Sequence, residues 1–176
     1  MIEIRRIGRA HSAWIRLPNE PFPLWGRMVP EYRDGVWSCT AELLPGEERS
    51  EMCFPEENYD YDAMGEDCFF PAAFEGERCV GLAVVKRTPF RYLLLDDLKV
   101  CAAYRRQGVG RALVEEMKSL AAGEGCRGVY AVAQDNNLSA CLFYLACGFR
   151  LGGLDTEIYN GTSQEGKHDL YFYLDI

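Results

Sequence analysis

Two glycines one residue apart close the run Arg105-Arg106-Gln107-Gly108-Val109-Gly110, which follows an apolar stretch from Leu93 to Val100 and precedes a long helical pattern. Such a strand-to-helix turn can hold a pyrophosphate. Glycine lets the backbone approach an anion closely, and the first amides of a helix point at it where the dipole is positive. Arg105, Arg106 and Arg111 would add charge-assisted contacts to phosphate oxygens, with Gln107 and Val109 lining the turn. The spacing Arg-x-x-Gly-x-Gly lacks the further glycines of a dinucleotide fingerprint and the lysine of a P-loop, so it points away from nucleotide hydrolysis and NAD. Taken alone, a helix N-terminus with incidental glycines explains it equally well.

Other residues capable of chemistry lie around this run. Asp96 and Asp97 precede it and are candidates for general-base work, one of them at most, because strand alternation sends neighbours to opposite faces. Downstream stand Asn137, Ala140, Phe143, Tyr144, Gly148 and Phe149, with Asn137, Ala140 and Tyr144 along one face of an expected helix and Leu138, Cys141 and Leu145 along another. Asn137 also suits an N-cap. Phe143 reads as packing, as do Trp14, Trp25 and Trp37, and Lys99, Lys118 and Arg127 as solvated cations. His11 and His168 fit no pattern. From Glu47 to Asp67 nine carboxylates face the single Arg49, interleaved with Phe54, Tyr59 and Tyr61. A solvated loop is the ordinary reading, yet aromatics beside carboxylates also make a surface for a cation.

The bulk properties narrow the setting. A chain of 176 residues with 48% apolar and 26% charged residues is expected to form one domain, 1–176, without staples. The net charge of −8 argues against nucleic-acid and anionic-membrane binding. No run has the length of a membrane span, and Met1–Arg6 lacks the apolar core of a secretion signal, so a cytoplasmic location is expected. Eight cysteines without a C-x-x-C pair and only two histidines leave no metal site in view and read as free thiols, with Cys101 and Cys126 the readiest to oxidise.

The elements that must position these residues follow from periodicity. Ile2, Ile4 and Ile7 suggest a first strand; prolines from Pro18 to Pro30 are expected to break regular structure; Val36–Thr40 could form a short strand after the Asp34-Gly35 turn. Strands are expected over Cys68–Phe74, Arg78–Lys86 and Phe90–Val100, a helix from Val109 to a stop at Gly123, a buried strand over Gly128–Ala133, a helix from Leu138 to near Gly148, and strands over Phe149–Asp155 and Leu170–Leu174. The fold class is α/β in the α+β sense: a mixed, mostly antiparallel sheet flanked by helices.

On these motifs the chain resembles the GCN5-related N-acetyltransferases. In that family a strand leads into Arg/Gln-x-x-Gly-x-Gly/Ala, and a later helix carries Asn-x-x-Ala-x-x-Phe-Tyr-x-x-x-Gly-Phe. Within the family it is most similar to the streptothricin acetyltransferases, through Asp96-Asp97-Leu98-Lys99-Val100, Tyr104-Arg105, Gln134-Asp135-x-Asn137, Leu151-Gly152-Gly153-Leu154-Asp155, Tyr159-Asn160-Gly161, Gly26–Pro30 and the Gly35-to-Thr40 stretch. The resemblance implies acetyl-coenzyme A as donor, pyrophosphate on Arg105–Gly110, and backbone amides of Leu98, Lys99 and Val100 serving the pantetheine arm. It also implies Asn137, Ala140 and Tyr144 on the cofactor side, and Tyr144 as the acid for the departing thiolate. Asp155 and Tyr159 would border the acceptor site, although a turn role for the Gly152-Gly153 neighbourhood is equally open. The subgroup carries a Glu-Thr pair where this chain has Val132 and Ala133. Acceptors therefore range from a streptothricin-type antibiotic to a polyamine, an amino acid, or a protein lysine or N-terminus. A non-catalytic coenzyme A sensor or interaction module is the alternative of another class, and a homodimer is possible by resemblance.

Overall fold

Alternating apolar side chains build most of this chain into antiparallel strands. The computed structural model describes residues 1–176. In chain order its strands are β1 (Ile2–Arg6), β2 (Phe22–Leu24), β3 (Gly26–Arg33), β4 (Val36–Leu43), β5 (Ser50–Met52), β6 (Cys68–Phe69), β7 (Pro71–Glu75), β8 (Arg78–Lys86), β9 (Tyr92–Val100), β10 (Gly128–Gln134), β11 (Arg150–Asp155) and β12 (Asp169–Asp175). The helices are α1 (Tyr61–Met64), α2 (Val109–Gly123) and α3 (Leu138–Ala146), and a 3-10 segment runs over Arg9–Arg16. The fold is mixed α/β, with mostly antiparallel strands flanked by helices. No helix is long and apolar enough to cross a membrane.

Two compact units emerge. The first holds Met1–Glu20, Phe54–Val129 and Asp175–Ile176, and the second Pro21–Cys53 and Tyr130–Leu174. In the first, β1, β7, β8 and β9 pair in that order, all antiparallel, with β6 also on β8. Helix α2 lies on these strands through Val109, Leu113, Met117 and Leu120, each at most 3% exposed. Gly81 permits the approach, since a Cβ there would stand 3.2 Å from Val109 and 3.3 Å from Leu113. A second apolar cluster gathers Ile7, Ile15, Leu17, Phe70, Ala72, Phe74, Leu82 and Val84. Each large side chain so buried contributes roughly 1.5–3 kcal/mol.

In the second unit β3 and β4 form a hairpin, β2 pairs with β5, and β12 lies between β10 and β11. The β3–β4 turn has positive φ at both Asp34 (51°) and Gly35 (81°), which is the turn that matches strand twist. Helix α3 packs on β3 and β11, burying Leu138, Cys141 and Tyr144 with Phe149, Phe172 and Met28. Gly26 is the contact point: a Cβ there would meet Glu42 O at 2.4 Å and Leu138 Cδ2 at 2.6 Å.

Several expectations are corrected. The proline-rich stretch is not irregular, because Pro30 sits inside β3 opposite Cys39 in a two-stranded ladder, which has a free edge for a residue lacking an N–H. The strand expected over Cys68–Phe74 is two, broken at Phe70. Lys99 is not solvated; its side chain is only 7% exposed. Cys53 is the exposed thiol, whereas Cys101 and Cys126 are half-buried.

Candidate active site

Strand β9 carries a bulge at its aspartates. Val84 of β8 pairs with Asp97 and Val85 with Leu95, so Asp96 is the extra residue. A bulge re-aims side chains and frees backbone groups from the ladder. Asp96 turns to Lys86, at 2.6 Å. Asp97 goes the other way, into a partly closed setting with 17% of its side chain exposed.

There Asp97 meets Lys99, two residues on and on the same strand face, with Oδ2 at 3.3 Å from Nζ. The same ammonium binds Glu57 and donates to Leu17 O at 3.2 Å, so all three of its donors are used. The Tyr59 hydroxyl donates to Asp97 at 3.4 Å, and its ring centroid lies 5.6 Å from the Lys99 nitrogen. Burial drives the Asp97 pKa up, Lys99 pulls it down and Glu57 pushes it back; the balance stands at about 6. For Glu57 burial acts upward too, but hydrogen bonds from Lys99 and Asn19 outweigh it and hold the carboxyl below its usual range. Burial and the charges of Asp97, Asp96 and Glu57 push the Tyr59 phenol far above its usual range. A cavity of about 200 Å³ opens beside this group, lined by Arg16, Leu17, Glu56, Glu57, Tyr59 and Lys99.

The glycine turn is shaped as its spacing suggests. Arg106 (φ 61°) and Gly108 (φ 86°) are left-handed, and Gly108 stands at the N-cap of α2 with no side-chain cap. The opening amides of α2 therefore lack both an intrahelical acceptor and a capping oxygen. Gly110 lies inside the helix. Arg105 Nε donates to Val100 O at 2.9 Å, and its guanidinium lies 3.4 Å from Glu20, so this arginine straps the turn to the end of β9. Glu20 also accepts from Ala102 N, and Gln107 Nε2 donates to Ala103 O at 2.6 Å. Arg106, Gln107 and Arg111 are exposed, Val109 is core, and Leu98 and Val100 are half-buried.

In the second unit Asn137 caps α3, its Oδ1 accepting from Ala140 N at 3.2 Å. Tyr144 does not stand on a helix face apart from the core, as the heptad-like spacing suggested. It is 7% exposed, with ring centroids 5.3 Å from Phe149 and 5.6 Å from Phe172, while Leu145 is only half-buried. Nearby, Asp135 ties β10 to β3 through Arg27 at 2.5 Å and lies 3.5 Å from His168 Nδ1.

The spacing of motifs missed Glu57, Tyr59 and Glu20. The density of aromatics among carboxylates was the one signal for the first two, and it pointed outward to a surface, whereas Glu57 and Tyr59 reach in to β9. Nothing local marks Glu20.

The acetyltransferase (GNAT) family model matches residues 31–149. Streptothricin acetyltransferase A of Bacillus subtilis (strain 168) is 32% identical over 160 residues, covering 89% of this chain and 90% of that protein. Streptothricin acetyltransferase of Streptomyces lavendulae is 31% identical over 114 residues, covering 62% of this chain and 60% of that protein. Among solved structures, a Bacillus anthracis str. Ames protein in complex with acetyl coenzyme A has a TM-score of 0.87 at 25% identity, covering 100% of this chain and 99% of the other. A glycine turn at an uncapped helix start, a bulged strand before it and this extent of likeness agree: the chain belongs to the acetyltransferase (GNAT) family and is an acetyl-CoA-dependent N-acetyltransferase.

Proposed function

We propose that this enzyme acetylates a primary amine of a streptothricin-type cationic antibiotic in the cytoplasm. The observation that carries the acceptor is the 32% identity to streptothricin acetyltransferase A of Bacillus subtilis along 89% of the chain. The net charge of −8 supports it, since a negatively charged protein attracts a polycation.

Three chemical needs fall to particular residues. An alkylammonium has a pKa of roughly 10.4, so it must lose a proton before it can attack. Asp97 is the better base of the two aspartates. With a pKa of about 6 it is ionised at neutral pH yet more basic than an ordinary carboxylate, whereas Asp96 is held by Lys86. Negative charge growing on the thioester oxygen calls for preorganised amides, which the residues after the bulge, Leu98 to Val100, would supply. Arg105 to Gly110 would take the pyrophosphate, with the exposed Arg106 and Arg111 leaning on its oxygens, and Asn137 and Ala140 would flank the cofactor. Tyr144 would return a proton to the departing thiolate. Its burial among Phe149 and Phe172 fixes the ring, which suits an acid that must not wander.

A different amine is the second reading, favoured by Val132 and Ala133, which bring no carboxylate to that part of β10. A thiol-release assay over streptothricin, spermidine, free amino acids and lysine peptides decides. Release with streptothricin well above the panel is the expected result; release with another amine alone replaces the acceptor, and none with any amine removes the assignment.

A further inference from the structure

Lys99 carries one charge for two carboxylates. Its ammonium is 2.5 Å from Glu57 Oε2 and 3.3 Å from Asp97 Oδ2, and its remaining donor goes to Leu17 O at 3.2 Å. The lysine side chain is 7% exposed, so water does little to screen the competition. A group of one cation and two carboxylates holds an excess negative charge, and one of the two acids must keep its proton to higher pH than the other. The donors that each receives decide which.

Glu57 receives the stronger set. Asn19 Nδ2 donates to Glu57 Oε1 at 3.0 Å and to Pro55 O at 2.8 Å, and the Asn19 amide donates to Glu56 Oε1 at 3.0 Å. Asn58, next in the chain, is left-handed at φ 54°, a conformation asparagine tolerates better than most residues, and its side chain donates back to Glu56 O at 3.2 Å. Glu57 is therefore held in place by contacts that do not involve the ammonium. Asp97 has the longer contacts, Lys99 at 3.3 Å and the Tyr59 hydroxyl at 3.4 Å. The other charges around it are engaged elsewhere: Asp96 pairs with Lys86, and Arg16 Nε donates to Tyr59 O at 3.0 Å. The two carboxyls part accordingly. Burial raises both, but hydrogen bonds from Lys99 and Asn19 hold Glu57 below its usual range, whereas burial, eased by Lys99 and reinforced by Glu57, leaves Asp97 at about 6.

We infer that Glu57 is a positioning residue for the transfer: anchored by Asn19, it draws the Lys99 ammonium to itself and leaves the Asp97 oxygens open to the proton of the amine. This role rests on Asp97 being the base. Without Glu57 the ammonium would close on Asp97, and a carboxylate held in a full ion pair is a poorer proton acceptor.

The pH profile of kcat/KM for acetyl transfer to streptothricin tests it, with the carboxyl carbons of isotope-labelled enzyme titrated by NMR in parallel. Glu57→Gln removes the charge and keeps an oxygen for Asn19 and Lys99. Glu56→Gln removes an equal charge that is bonded to Asn19 and not to Lys99. Melting temperature checks that both fold. For Glu57→Gln the acid limb and the Asp97 titration should both move down by about one pH unit, and the plateau should fall about threefold or more. For Glu56→Gln both should stay within about 0.3 unit of wild type. A limb and a titration unmoved by Glu57→Gln overturn the inference, as does an equal shift in Glu56→Gln. If Asp97→Asn keeps the wild-type acid limb, the base reading falls and the catalytic part of Glu57 falls with it. Should streptothricin not be acetylated, or Glu57→Gln not fold, the titration of the wild-type enzyme decides: Glu57 losing its proton at lower pH than Asp97 supports the inference, and the reverse order overturns it.

Discussion

Asp97 Oδ2 lies 3.3 Å from the ammonium of Lys99, two residues along the same strand, and that ammonium is shared with Glu57, forty-two positions earlier in the chain. Two carboxylates therefore compete for one cation. Glu57 wins the shorter contact and stays ionised, and Asp97 is left as the more basic partner.

Replacing Asp97 by Asn should raise stability and lower turnover. The folded value of about 6 lies above the roughly 3.9 of an unfolded aspartate, so the native state binds more protons through that window and stability falls as pH rises from about 4 to 6. The variant lacks this loss. Urea melts should place it about 2–3 kcal/mol above wild type at pH 8 and level with it below pH 4. The acid limb of kcat/KM near pH 6 should vanish with the lost base, and an unchanged limb would exclude Asp97 from that role.

Lys99→Met should act in the opposite sense. It leaves Glu57 and Asp97 facing each other without their cation, at a cost of about 2–4 kcal/mol near neutral pH. Lowering the pH protonates one carboxylate and should recover much of the loss. A deficit as large at pH 5 as at pH 8 would show that lost packing, not charge, is responsible.

Tyr144→Phe separates catalysis from binding. The ring cluster with Phe149 and Phe172 is retained, so stability should change by no more than about 1 kcal/mol. If the phenol is the acid, kcat falls by about a hundredfold or more while the dissociation constant for acetyl-CoA is unchanged. Equal losses in both would make the residue part of cofactor binding alone.

Gly26→Ala probes the β3–α3 contact. Its Cβ would stand 2.4 Å from a backbone oxygen and 2.6 Å from Leu138, and backbone cannot swing aside as a side chain can. A loss of about 1–3 kcal/mol is expected in denaturant melts. By contrast Gly108→Ala meets no atom within 4 Å and should cost about 1–2 kcal/mol through its left-handed backbone alone.

By itself the sequence determined the regular elements from Arg78 onward and the turn they frame. Strand β8 and helix α2 begin and end where alternation, helical spacing and Gly123 put them, because those signals lie within a few residues and need no distant partner. Asn137 as a cap and Asp34-Gly35 as a turn were legible for the same reason. The tertiary structure alone decided which aspartate is buried and what surrounds it. The Asp96 bulge arises from pairing with β8, Lys99 is drawn inside by Glu57, and Gln134 and Asp169 share Tyr159, from elements far apart in the chain. Desolvation and the partnering of charges depend on what folds over a side chain, and a residue's neighbours in sequence carry little record of that.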